Sequence, residues 1–405
     1  MTVEQQREQP RISPGWRLVI ALAITQTVGY GILYYAFAVF LSPMRRDLNA
    51  SAGQVTGAFT LAVLITGLAA PLVGRLLDRH GGRVLMTLGS VAGTLATFAW
   101  SRVDDLPGLY AVLAVIGLAS AMTLYEPAFA IVVAWFDPGR RSAALLTVTL
   151  VAGFASSVFL PLTGLLVDRH GWRTALVVLA VIHAVTTIPL HAFFVRRPPR
   201  AGSPGRAGRE DRPGGAGLGR AMRGRPFWLL AVAFVAHTAA VAIVAVHLLA
   251  YLTELGHPPT FAAFVTGLLG VLSVTGRLVT TGLHRRFPAA AVTAAVFLLQ
   301  AVAAASLPLL GGSEAGAVAC VIAFGAGFGV GTLARPVLVA ERYGAAAYAT
   351  IAGAQALPIM LAKALGPLGA AFLGQSAGYP VVLLSVAVSS VVAAVALIAY
   401  GRSQG

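Results

Sequence analysis

The chain has 405 residues, of which 58% are hydrophobic and 11% charged, with a formal net charge of +15. A soluble protein of this size carries about 25% charged residues, so a soluble globular chain is excluded. The lone cysteine, Cys320, sits in an apolar run and excludes an intrachain disulfide and a thiolate metal cluster.

The first fifteen residues are polar, so no cleavable signal peptide is expected. Apolar runs of about 20 residues then recur, each long enough to cross a bilayer core of about 30 Å as a helix. We place twelve spans at about 16–42, 53–77, 84–101, 108–135, 142–167, 173–195, 226–253, 260–283, 288–309, 315–340, 346–373 and 379–400. Backbone groups in lipid must bond internally, and continuous runs do not fit the alternation of membrane strands. The expected fold class is therefore an all-α membrane protein of twelve transmembrane helices.

The basic charge follows the loops. With the N-terminus inside, 21 of the 29 basic residues fall on the cytoplasmic side. Arg45, Arg46, Arg102, Arg169 and Arg173 fall outside, and Arg277, Arg335 and Lys363 lie within spans. This is the positive-inside bias, which sets both termini in the cytoplasm and explains the net charge without nucleic acid. The expected location is the cell inner (plasma) membrane, as a multi-pass monomer.

Residues 196–225 interrupt the spans. The stretch is rich in Arg, Gly and Pro, has only Glu210 and Asp211 as acids, and is expected to act as a tether that does not fold alone. It separates an N-terminal half, 1–195, from a C-terminal half, 226–405.

The halves repeat each other. Thr123-Leu-Tyr-Glu126-Pro127 matches Thr332-Leu-Ala-Arg335-Pro336, and Ile65-Thr66-Gly67 matches Val274-Thr275-Gly276, both at an offset of 209. Asp168-Arg-His-Gly171-Trp172 matches Gln375-Ser-Ala-Gly378-Tyr379 at 207. A second repeat lies inside the first half. Gly74-Arg-Leu-Leu-Asp78-Arg79-His-Gly81-Gly-Arg83 recurs 90 residues later as Gly164-Leu-Leu-Val-Asp168-Arg169-His-Gly171-Trp-Arg173. Three spans separate the copies, so they face opposite sides of the membrane.

An inverted three-plus-three repeat in each six-helix half resembles the major facilitator superfamily. The likeness covers essentially the whole chain. That family's turn after span 2 is matched by Gly74, Leu76, Asp78, Arg79, Gly81 and Arg83, which the resemblance implies act as a gate. Within the superfamily the chain resembles the monocarboxylate transporters and the oxalate/formate antiporter group. The carrying residues are Pro14-Gly15-Trp16-Arg17, His170-Gly171-Trp172-Arg173, Gly276-Arg277 and Ala362-Lys363-Ala-Leu-Gly366. The resemblance implies that Arg277 and Lys363 hold substrate carboxylates. It departs from the monocarboxylate pattern at Ser273, where that family has an aspartate, and in span 1, which has no lysine.

Four ionisable residues stand out within the spans: Glu126, Arg277, Arg335 and Lys363. Lys363 is the only lysine in the chain, and a cation at mid-membrane depth costs about 2.5–3.5 kcal/mol on insertion scales. Buried charges need partners. If Glu126 neutralises one cation, two remain for an anionic substrate. The repeat mates of Arg277 and Lys363 are Leu68 and Ser156, so symmetry does not demand either charge. Internal pairing or snorkelling is the other reading of both. Glu126 has two open roles, proton carrier or fixed partner of Arg335. Tyr30 and Tyr34 share a helix face and, with His247, are candidate substrate contacts; Gln26, Tyr35 and His237 are further pore candidates. The glycines from Gly325 to Gly331 fit close helix approach and a deformable gate.

No catalytic cluster, metal site, cofactor site or phosphate loop appears, so an enzyme is not expected and a gradient must supply the energy. The expected function is secondary transport of small organic anions, mono- or dicarboxylates, by symport or antiport, with protons as one candidate coupling ion. The alternative is a proton-coupled efflux carrier for drugs or metabolites.

Overall fold

The computed structural model describes residues 13–196 and 215–403, and among them all regular secondary structure is helical. The spans are α1 (Pro14–Asp47), α2 (Ala52–His80), α3 (Gly82–Trp100), α4 (Leu106–Trp135), α5 (138–170) and α6 (172–194), then α7 (Arg225–Glu254), α8 (Pro259–Leu283), α9 (Ala289–Leu310), α10 (Glu314–Tyr343), α11 (Tyr348–Ala377) and α12 (Tyr379–Arg402). Ten helical stretches among the described residues are long and apolar enough to cross a membrane. One of them, Pro138–Phe194, is 57 residues long and contains both α5 and α6; the 19-residue α3 supplies the remaining span.

Local chemistry sets the helix ends. Ser51 and Gln54 form a reciprocal capping box at the start of α2. Asp105 and Ser313 accept first-turn amides at the starts of α4 and α10. The turn between α2 and α3 rests on Gly81 (φ 82°, ψ 166°), that between α5 and α6 on Gly171 (φ 76°, ψ 163°), and that between α11 and α12 on Gly378 (φ 83°, ψ 163°). This backbone region is essentially restricted to glycine. The repeats seen in sequence are therefore repeats of geometry. The fourth equivalent position is Pro288, at φ −56°, and that turn has lost the motif.

Three apolar clusters show how the halves meet. One lies within the first half around Phe40, Trp100 and Leu109, and one within the second around Leu252, Phe324 and Val386. The third runs through both halves at the end that carries the linker, joining Leu18, Val132 and Leu145 to Leu338, Phe227 and Tyr400. The inter-half contacts of α4, α5 and α10 fall mainly on their linker-end segments, Tyr125–Trp135, Pro138–Ala152 and Val330–Tyr343. The bundle is thus closed at the linker end.

Part of the connector is more ordered than its composition suggests. Residues 197–214 lie outside the described residues, but Gly215–Arg223 is a helix that packs on α7 and α11. Leu218 and Ala221, three apart on one face, are buried there. That short apolar stripe gives the segment something to bury, which a reading of overall composition averages away.

Close helix approach is built on glycine. A Cβ on Gly276 of α8 would sit 1.9 Å from the Ala326 carbonyl oxygen, whereas one on Gly282 of the same helix would meet nothing within 4 Å. Gly276→Ala is expected to lower stability by about 1–3 kcal/mol through overpacking, and Gly282→Ala to stay within about 0.5 kcal/mol of the parent. Thermal melting in detergent checks the pair; equal losses would show that the packing at Gly276 is not tight.

Candidate functional site

The first half contributes an aromatic surface. α1 carries a π-helical turn at Gly31–Tyr35, a distortion that favours functional positions. It presents Tyr34 and Tyr35 with ring centroids 5.2 Å apart, beside Tyr30, which lies 6.2 Å from Tyr34. Tyr125 of α4 joins the group 4.5 Å from Tyr30, and Phe59 of α2 lies 5.3 Å from Tyr34.

The second half contributes the cations. Lys363, in the middle of α11, places Nζ 4.5 Å from the Tyr34 ring centroid, a cation–π geometry. Arg277 is buried on α8. Its Nε donates to the Gly329 carbonyl at 3.1 Å and its Nη1 to the Thr149 carbonyl, in the other half, at 3.0 Å. Both acceptors lie at helix interruptions. α10 breaks at Gly329, and α5 is interrupted at 153–154. A Cβ on Gly329 would lie 2.6 Å from Arg277 Nε and 2.4 Å from Ser273 Oγ, so only glycine leaves room for the guanidinium to pass. Carbonyl dipoles and a ring face orient these cations but do not neutralise them.

Glu126 and Arg335 are paired. Arg335 Nη2 donates to Glu126 Oε1, while Glu126 Oε2 is buried without a hydrogen-bond partner. Glu126 stands in the first turn of the half-helix Tyr125–Trp135, which begins after Leu124 leaves helical geometry, so the amide dipoles there also favour its charge. Among the described residues, ion pairs otherwise join only Arg173 to Asp47 and Asp104; neither Arg277 nor Lys363 is in one.

The gating motif is spread across the closed end. Asp78 accepts from the Thr350 backbone N–H at 2.9 Å and from its hydroxyl at 2.6 Å, in the first turn of α11. A Cβ on Gly74 would sit 2.2 Å from the Ala349 carbonyl oxygen, so this glycine lets α2 touch the α11 backbone. Gly81 makes the turn, and Arg79 and Arg83 are exposed and outside the ion pairs.

Other expected pore residues have different surroundings. The His247 imidazole Nε2 lies 2.9 Å from the Pro367 carbonyl, and its ring lies against Tyr379, so its contacts stay within the second half. His237 is buried and stacks on Phe297 at 4.0 Å, inside the core of that half. Gln26 is fully buried and donates to the Thr123 carbonyl at 2.8 Å. Pro127 has no N–H to offer that carbonyl, and Gln26 fills the gap. The glycine run in α10 does give close approach: Cβ atoms on Gly325, Gly327 and Gly331 would strike Leu272, Gln300 and His237. Tyr125 is not among the residues expected from sequence, although its position beside Glu126 was an available signal. Nor are His183 and His191, which bind Thr94 and Ser90 at 2.9 and 2.7 Å and tie α3 to α6.

Comparison with known proteins points in one direction. A family model described as the Major Facilitator Superfamily matches residues 23–359. Monocarboxylate transporter 13 of Bos taurus is 24% identical over 284 residues, 69% of this chain and 64% of that one. The oxalate:formate antiporter of Oxalobacter formigenes is 28% identical over 205 residues, 49% of this chain and 47% of that one. Both alignments therefore take in less than two thirds of the relative's length. The fucose:proton symporter of E. coli has the same fold, with a TM-score of 0.73 at 15% identity over 96% of this chain and 98% of that one.

Breaking one partner of a fully buried pair costs about 3–5 kcal/mol, more than removing both, and for this partly buried pair that is the upper bound. Glu126→Gln and Arg335→Gln should each destabilise the protein, and the double variant should recover most of the loss. Melting temperatures of the four proteins check this; losses that simply add would mean the two side chains are not coupled.

Proposed function

This chain belongs to the major facilitator superfamily of transporters, and on that premise we propose that it is a secondary active carrier of small organic anions, mono- or dicarboxylates. One observation carries the reading. With Glu126 engaged by Arg335, the buried Arg277 and the half-buried Lys363 have no carboxylate partner among the described residues. A carboxylate entering between them would supply the missing charge. Among the described residues Arg277 Nη2 has no acceptor, and the planar fork of the guanidinium suits a carboxylate, whereas Lys363 offers a point charge. Tyr30 and Tyr34 line the same space with hydroxyls and ring faces. The carboxylate cargoes named for the bovine and Oxalobacter relatives favour the same class.

Alternating access fits the architecture. Residues 1–195 and 226–405 act as the two rocking bodies, with 196–225 as connector, in a monomer. The arginine distribution favours an orientation with the linker and both termini on the cytoplasmic side of the cell membrane. Glu126 serves as half of an inter-half latch rather than as a proton carrier, which supports exchange over proton symport. The aromatic group would also suit a lipophilic cation, the cargo of an efflux carrier. Lys363 already covers the Tyr34 face, however, and a second cation there meets like charge.

Counterflow in proteoliposomes with a panel of radiolabelled mono- and dicarboxylates tests the proposal. Each charge-assisted hydrogen bond is worth about 1.5–3 kcal/mol. Arg277→Gln and Lys363→Gln should each slow exchange of the accepted substrates by at least about tenfold. Exchange of every substrate at the parent rate in both variants would sink the anion site.

A further inference from the structure

The Asp78–Thr350 contact closes the linker end, and the chain contains its mirror copy at the far end. The 90-residue inverted repeat carries Asp78 onto Asp168, and the turns that follow share one backbone geometry at Gly81 and Gly171. The same 90-residue step, taken in the second half, carries Thr260 onto Thr350. Both threonines stand in the first turn of their helices, α8 and α11. The directions also agree. α2 ends and α11 begins at the linker end; α5 ends and α8 begins at the far end.

We infer that Asp168 and Thr260 form the clamp that closes the far end when the linker end opens, making them a second pair of working residues in the transport cycle. The chemistry is that of the observed clamp. A carboxylate at the end of one helix accepts from the amide and hydroxyl of a threonine at the start of another. The Thr260 N–H belongs to the first-turn donors that have no partner within the helix, and Pro259 before it has no N–H to compete. In the conformer described here both residues are exposed, and neither bonds the other. Asp168 is also left out of the local ion-pair network, where Arg173 is taken up by Asp47 and Asp104. An exposed acid in a duplicated gating turn has no task in this conformer and a defined one in the mirror conformer. The inference rests on the fold and its repeats, not on which anion is carried.

Disulfide trapping tests it, in a Cys320→Ala background. One reporter pair is Asp78→Cys with Thr350→Cys, and the other is Asp168→Cys with Thr260→Cys. Oxidation by copper phenanthroline is followed by counting unreacted thiols. Gly353→Leu wedges the linker end, because even a Cβ there would sit 2.4 Å from the Ala70 carbonyl oxygen. With the wedge, trapping of the first pair should fall and trapping of the second should rise by about tenfold. Asp78→Asn, which weakens the observed clamp without a wedge, should raise the second pair in the same direction. Loss of the first pair with the second unchanged would overturn the assignment.

Discussion

The Glu126–Arg335 pair is the interaction on which the rest of the charge arrangement depends. The two residues are separated by 209 positions, the same offset that relates the two halves. A residue and its own repeat mate can touch only near the pseudo-two-fold axis, so the pair marks where that axis meets the closed end. It also sets the charge balance inside the membrane. The one acid among the four ionisable span residues is taken by one cation, which leaves Arg277 and Lys363 without a carboxylate among the described residues. Hydrocarbon makes unneutralised charge expensive, and the proposed anionic cargo is the partner that would relieve that cost.

Helix interruptions shape the candidate site. α1 widens into a π turn, α4 breaks at Leu124, α5 at 153–154 and α10 at Gly329. Irregular backbone at membrane depth is tolerated where protein covers it or it lines a cavity, and here carbonyls beside the interruptions accept side-chain donors. Thr123 is bound by Gln26, and Thr149 and Gly329 by Arg277. Arg277 therefore spans the two halves through Thr149 while its remaining donors stay available. A ligand that competes for this guanidinium acts on the interface between the halves as well as on the site, which is a direct physical route from binding to conformational change.

Much of this was readable from residues alone, for identifiable reasons. Twelve apolar runs report hydrocarbon thickness, and the turns at Gly81, Gly171 and Gly378 advertise themselves because only glycine fits their backbone. Glu126 and Arg335 could be paired on paper because the repeat relates them. What escaped depends on where backbone carbonyls come free, and hydropathy does not encode that. Gln26 looked like a pore residue until the carbonyl of Thr123 was seen to hold it. His237 looked polar and available, yet it is stacked on Phe297 under the α10 glycines. The helix at Gly215–Arg223 was hidden because the two apolar residues it buries, Leu218 and Ala221, hardly move the average composition of a basic stretch.

Ligand-dependent melting of the purified protein tests the surplus of positive charge most directly, because it reads binding without regard to direction or coupling. The account predicts that at least one small mono- or dicarboxylate raises the melting temperature with concentration. It also predicts that Lys363→Met abolishes the rise while the protein remains folded, and that lipophilic cations have no effect. Stabilisation by lipophilic cations, with none from any carboxylate, would contradict it.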